Sequence, residues 1–204
     1  MTKIVLVRHG HVAWHAPERF RGRADLELSE RGRRQARAAA LHIAATWRLD
    51  AIYTSPLGRC RATAAAIAAP FRLDPQPVAG FADIDYGEWQ GLTHDEAQAR
   101  WPQETALWFS RPHLAAIPGG ESLAAVLSRS STALRDILRR HAEDTIAIVG
   151  HDSVNRVLLL FALGLPLVSY WQIGQDACAI NEIDFADGEF AIRSLNETQH
   201  LAGI

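Results

Sequence analysis

Cysteine is scarce. Cys60 and Cys178 are the two in 204 residues, enough for one bridge at most, and a chain able to bury a core of this size does not need one. Reduced thiols and a cytoplasmic setting are therefore expected. Charge of one sign is equally short: 21 Lys and Arg meet 23 Asp and Glu, a formal net charge of -2. No broad positive field is left for a nucleic acid, so any anion site must be local, built from a few clustered arginines. Long hydrophobic runs are missing too. The longest, Val157 to Trp171, is interrupted by Gly164 and Pro166 and falls short of a bilayer span, so no membrane partner is expected. Met1-Thr2-Lys3 leads straight into Ile4-Val5-Leu6-Val7, too short a run for a signal peptide and without a small-residue cleavage site. Repeats, low-complexity tracts and Ser/Gly linkers are absent, which favours one domain over 1–204.

What is present is the balance of a globular protein, 48% apolar and 22% charged residues. Short β-rich runs alternate with helical stretches, which is α/β order. Residues 3–8 are almost continuously apolar, as a parallel strand covered on both faces should be. Ser29 offers an N-cap to a helix whose stripe is Ala36, Ala39, Ala40, Ile43 and Trp47. Residues 51–54 read as a second strand. Ser55-Pro56 reads as the entrance to a helix over about 57–68, with the Ser hydroxyl as cap. A third strand is expected within 75–85. Thr93 and Glu96 form a capping box, and the helix they start should break at Pro102. Leu123, Val126, Leu127, Ser130, Leu134, Ile137 and Leu138 mark a long amphipathic helix. The strand 145–149, an apolar helix 154–163, and a hairpin of 177–185 with 189–194 around Asp187-Gly188 complete the chain. The expected fold is a three-layer α/β/α sandwich on a mostly parallel mixed sheet with antiparallel C-terminal strands, carrying a small helical cap around 92–118.

Arg8-His9-Gly10 and Gly150-His151-Asp152 both lie just past the C-terminal ends of expected parallel strands. Open α/β sheets place their ligand crevice there, so the two histidines should meet. Arg59 falls in the first turn of the helix after Ser55-Pro56, where its guanidinium and the free backbone donors can face one anion. Taken singly, each of these residues reads more readily as a solvated loop or helix-start group than as a site. Their joint placement points to an anionic ligand.

The chain also resembles the histidine phosphatase superfamily, the phosphoglycerate mutase-like proteins. The matching blocks are Leu6-Val7-Arg8-His9-Gly10 with Trp14, Arg19-Phe20-Arg21-Gly22 with Asp25, and Leu28-Ser29-Glu30-Arg31-Gly32 with Gln35-Ala36. They continue with Tyr53-Thr54-Ser55-Pro56-Leu57, Arg59 and Thr63-Ala64, then Asp85-Tyr86-Gly87-Glu88-Trp89-Gln90-Gly91, Pro118-Gly119-Gly120-Glu121-Ser122 and Val149-Gly150-His151. The blocks stand in family order over most of the chain.

The resemblance implies a phosphatase acting on a small phosphorylated metabolite with neither metal nor cofactor, in which His9 attacks phosphorus and water discharges the phosphohistidine. It implies Arg8, Arg59 and His151 as donors to the transferring oxygens, and Arg21 and Gly22 as substrate contacts from the loop. The family places an asparagine that touches the phosphoryl group where this chain has His15, and a glycine where it has Asp152. The leaving group's proton comes in the family from a glutamate four residues before the glycine of the aromatic block. Here that position is Asp83, one methylene shorter, with Asp85 and Glu88 as alternatives.

Three other readings remain open at this point. A mutase would return the phosphoryl group to its substrate, although primer-dependent mutases of this kind tend to be longer than the compact stretch 91–118 allows. A metal-dependent hydrolase would use His9, His11, His15, His151 and Asp152, against the repulsion of Arg8. A phosphate sensor would need to lack the nucleophile. Trp89, Trp101, Trp108 and Phe109 either line the site for a ring-bearing substrate or simply pack the cap. Oligomeric state leaves no mark in the sequence, and a homodimer is compatible with it.

Overall fold

The computed structural model of the chain describes residues 1–14 and 18–204. Strand β1 (Thr2–Arg8) is buried along almost its whole length. Helix α1 (Glu30–Thr46) starts on Ser29, whose hydroxyl accepts from Gly32 N, and buries Ala36, Ala39, Ala40 and Ile43; Trp47 is the first residue past its end. Strand β2 (Ala51–Thr54) follows, then α2 (Gly58–Ala68). Segment 75–85 holds only the two-residue strand β3 (Gln76–Pro77) and a 3-10 turn, Ala79–Phe81. Pro75 and Pro77 remove the donors a longer ladder needs, so the expected third strand is little more than a bridge. Helix α3 (His94–Arg100) carries the capping box and gives way at Pro102 to α4 (Pro102–Ser110).

Helix α5 (Leu123–Leu138) buries the expected stripe apart from Leu127, which is half-buried. Strand β4 (Thr145–Gly150) runs into α6 (Asp152–Leu163), which stops at Gly164 in the left-handed region. Strands β5 (Ile180–Ala186) and β6 (Glu189–Glu197) form the hairpin. Its turn residues, Asp187 and Gly188, both have positive φ, 54° and 86°, as a two-residue connection between right-twisted strands requires.

The sheet order is β3-β2-β4-β1-β5-β6. Its first four strands pair in parallel and the last two antiparallel. Alternation along the strands makes the layers. Ile4, Leu6, Ile146 and Ile148 face one side and pack with Leu123, Val126 and Leu134 of α5 and Val157 and Leu158 of α6. Val5, Val7, Ala147 and Val149 face the other, against Ala40 and Ile43 of α1 and Cys60, Ala64 and Ile67 of α2. The three-layer expectation is borne out. Both cysteines are free and buried. No helix among the described residues is long and apolar enough to cross a membrane.

Candidate active site

Strands β1 and β4 pair in register up to Arg8 with Gly150, so the next residues, His9 and His151, leave the sheet side by side. Their ring centroids lie 5.2 Å apart at 65°. The sharp exit from β1 needs Gly10, because a Cβ there would sit 2.6 Å from the carbonyl oxygen of Gly32.

The neighbours of His9 fix its tautomer. Nδ1 lies 2.7 Å from Gly10 O, which can only accept, and Arg59 Nε, which can only donate, reaches Nε2 at 3.2 Å. The proton therefore sits on Nδ1 and the lone pair on Nε2, where it accepts from Arg59. Burial, then the facing His151, then the guanidiniums of Arg59 and Arg8 hold His9 well below the ordinary imidazole value of 6.5. His151 is depressed in the same way by burial, Arg59 and Arg8. Its Nε2 meets Ser55 Oγ at 2.7 Å, while Leu57 N donates to that oxygen at 3.3 Å, so the Ser hydroxyl is free to point at the ring. Nδ1 then carries the proton and faces Asp83 Oδ2 at 3.4 Å.

Arg59 ties the site together from the first turn of α2. Its two terminal nitrogens donate to Ala24 O at 2.8 Å, to Gly22 O at 2.6 Å and to Asp83 Oδ2 at 2.9 Å. Gly22 supplies that carbonyl from the left-handed region, φ 48°. The other oxygen of Asp83 accepts from Ile84 N at 2.9 Å and from the Ser153 hydroxyl.

A cleft of about 450 Å³ opens beside this cluster, lined on its inner side by Arg8, Arg21, Asp83, Ser153 and Gln175. His9, His151 and Arg59 stand behind that wall, 2%, 0% and 0% exposed. Arg8 donates to Gln175 O and lies 3.8 Å from Asp152, yet its Nε is buried with no hydrogen-bond partner among the described residues. An orphaned guanidinium N–H beside a cleft is costly unless a ligand completes it. Arg21 donates to Trp14 O at 3.3 Å and sits 3.7 Å from Glu18.

The sequence-derived group of Arg8, His9, Arg59, Asp83 and His151 is thus one cluster, with Arg21 and Gly22 at its edge. His15 lies outside the described residues. The alternative carboxylates stand off: Asp85 accepts from Gly87 N and pairs with Arg23, and Glu88 is exposed. Trp89 and Trp108 are buried in the main core, while Trp108, Phe109 and Trp171 line the outer cleft, so the aromatic residues split between packing and lining. Among the described residues no three His, Cys, Asp or Glu side chains are grouped to hold a metal ion.

Sequence reasoning missed several parts. Ser55 is not the cap of α2, a position taken by Leu57 without a side-chain bond; its hydroxyl serves His151 instead. Ser153 and Gln175 carry no motif of their own. Cys60 has its sulfur 3.4 Å and 3.7 Å from the ring nitrogens of His151. Burial pushes its thiol far up, so it packs against the imidazole as a neutral group.

The family profile of the histidine phosphatase superfamily (branch 1) matches residues 4–198. Phosphoserine phosphatase 1 of Hydrogenobacter thermophilus is 34% identical over 201 residues, covering 98% of this chain and 95% of that protein. A metal-independent phosphoserine phosphatase of Arabidopsis thaliana is 31% identical over 207 residues, 100% of this chain and 85% of the relative. Among solved structures, a mutant phosphoserine phosphatase of Entamoeba histolytica in complex with phosphoserine superposes with a TM-score of 0.89 at 28% identity, covering 98% and 100% of the two chains.

Proposed function

Because the chain belongs to the histidine phosphatase superfamily and is, like its relatives, a phosphoric monoester hydrolase, we propose that it hydrolyses a small phosphorylated metabolite without metal, through a phosphohistidine on His9. The observation that carries this reading is the protonless Nε2 of His9, held neutral against Arg59 and alongside a second buried imidazole.

In the first step Nε2 attacks phosphorus in line; the N–P bond forms as the ester O–P bond breaks. The arriving phosphoryl group takes the place of Asp83 Oδ2 before the Arg59 terminal nitrogen and His151 Nδ1, and completes the orphaned Nε of Arg8. Those donors stabilise the charge spread over the equatorial oxygens. Arg59 Nε must also release the His9 lone pair, so substrate binding and nucleophile activation are one event. Asp83, freed from Arg59, takes up the proton that a monoanionic phosphate ester brings in and gives it to the leaving oxygen. In the second step it takes one from the water that breaks the N–P bond, releasing inorganic phosphate. Segment 92–118, with α3 and α4, serves as a small cap, and Trp108 and Phe109 present aromatic surface to whatever leaves from Asp83.

The test is phosphate release from a panel of metabolite phosphoesters with a chelator present, comparing the native chain with His9→Ala. Phosphoserine heads the panel because the relatives are named for it. The native chain should release stoichiometric phosphate and leave an acid-labile phosphoenzyme on quenching. His9→Ala should lose at least about 10⁴-fold in kcat and form no phosphoenzyme. Isomerised ester without phosphate would make the chain a mutase; activity lost to the chelator would end the metal-independent reading.

A further inference from the structure

The segment that carries Asp83 has almost no ladder to hold it: after Gln76–Pro77 the chain runs through a 3-10 turn into irregular backbone. An aspartate at a position where the family resemblance implies a glutamate also reaches about 1.5 Å less far, one C–C bond. Its backbone must therefore be placed more tightly. The structure assigns that task to Arg129 on α5, with Glu121 just ahead of the same helix, and this inference rests on the acid role proposed above for Asp83.

Every donor of Arg129 is spent on this segment or on Glu121. One terminal nitrogen donates to Gly80 O at 2.9 Å and Ala82 O at 2.7 Å, and the other to Asp83 O at 3.1 Å and Glu121 Oε2 at 2.9 Å. Nε meets Glu121 Oε1 at 2.9 Å. Five N–H groups thus find five acceptors. Glu121 in turn takes the backbone N–H of Asp85 at 3.0 Å on its carboxylate, and its own N–H donates to Asp85 O at 2.8 Å. The two ends of the Asp83 stretch are clamped by one bidentate ion pair. Gly80 permits the approach, since a Cβ there would lie 2.7 Å from the Ala133 side chain and 2.9 Å from Arg129 O.

Arg129 touches neither the cleft nor the reacting atoms, so it is a positioning residue. A purely structural arginine would, when weakened, lower turnover of all substrates alike. One that aims the acid should, in the first step, matter only where the leaving oxygen needs a proton. The experiment compares an alkyl phosphate with 2,4-dinitrophenyl phosphate, whose leaving group departs unprotonated, in the native chain, Asp83→Asn, Arg129→Lys, Glu121→Gln and the double variant Asp83→Asn/Arg129→Lys. Lysine keeps the charge but cannot span five acceptors. For Arg129→Lys, kcat/KM, which reports the phosphoryl transfer to His9 and not the later hydrolysis, should fall about 10²-fold on the alkyl ester, against less than about 3-fold on the dinitrophenyl ester. In the Asp83→Asn background the same substitution should cost less than about 2-fold on either ester, because the group being aimed is gone. Glu121→Gln should show the same split more weakly, and carries the comparison alone if Arg129→Lys fails to fold. Equal losses on both esters, or full additivity with Asp83→Asn while Asp83→Asn itself discriminates, would overturn the positioning role and leave the acid assignment standing. If Asp83→Asn slows both esters equally, the acid role falls and the positioning role falls with it.

Discussion

The site has two halves that are built in opposite ways. The phosphoryl half stands on strand ends: His9 and His151 leave β1 and β4 at adjacent register positions, and Arg59 comes from the first turn of a helix. The carboxyl half stands on irregular backbone around Asp83, held by side chains from α5 and by close glycine contacts between 85–87 and 118–121. Its arginines differ accordingly. Arg129 has every donor satisfied by the protein, whereas Arg8 keeps a buried Nε with no partner among the described residues. A saturated guanidinium fixes geometry; an unsaturated one beside a cleft waits for an anion. The difference teaches that charge near the site does not by itself mark a ligand contact, and that counting donors does.

The sharpest way to break this division is to weaken each half separately. Arg8→Lys keeps the charge and loses the fork, so kcat/KM should fall about 10²- to 10³-fold, as when one transition-state donor is removed. The loss should be the same for alkyl and dinitrophenyl esters, since both pass the same phosphoryl group. A loss that grows with leaving-group basicity would place Arg8 in the carboxyl half and collapse the comparison. Gly120→Ala probes the other half. Its new Cβ would sit 2.5 Å from Asp85 O and 2.8 Å from Ile117, contacts that backbone has to absorb. Overpacking of this kind costs about 2–3 kcal/mol, read as a lowered urea midpoint, with the remaining activity impaired most on alkyl esters. An unchanged midpoint would show that the 85–87 and 118–121 strips are not tightly joined.

The two halves also differ in how far they could be read from sequence. The strand-end histidines were legible because an unbroken apolar run, a parallel sheet and a crevice at its C-terminal edge are local signals combined by a topological rule. Arg59 followed from helix-start signals. Asp83 was legible only through family resemblance, since residues 78–91 have no period and their path is set by Arg129 and Glu121, some 40 positions further on. Ser55 shows the same limit. Its local context, Ser-Pro before a helix, spells a cap, but its hydroxyl answers to His151, 96 residues away. The short β3 has a visible cause in Pro75 and Pro77, which withhold the donors a full strand needs.

The smallest expected effect separates the halves by acid. His9 and His151 are both held well below 6.5 by burial and by nearby guanidiniums. An unfolded chain takes up protons on these imidazoles as pH drops through about 6.5, while the native state does not. Stability from the neutral pair is therefore fully present above that value and is lost as pH falls toward the native-state pKa. Between pH 6.5 and 5.5 each imidazole should cost about 1 kcal/mol, seen as a declining urea midpoint, whereas pH 7.5 to 8.5 should be flat for these groups. His9→Gln should remove about 1 kcal/mol of the decline, and a matching His151→Gln variant a similar share, with His11 and His200, also lowered by burial, left to contribute the rest. Over the same range kcat/KM should show no break at 6.5, because the nucleophile is already unprotonated there. If both variants keep the full acid-side decline, the imidazoles are not the buried neutral pair on which the phosphoryl half depends.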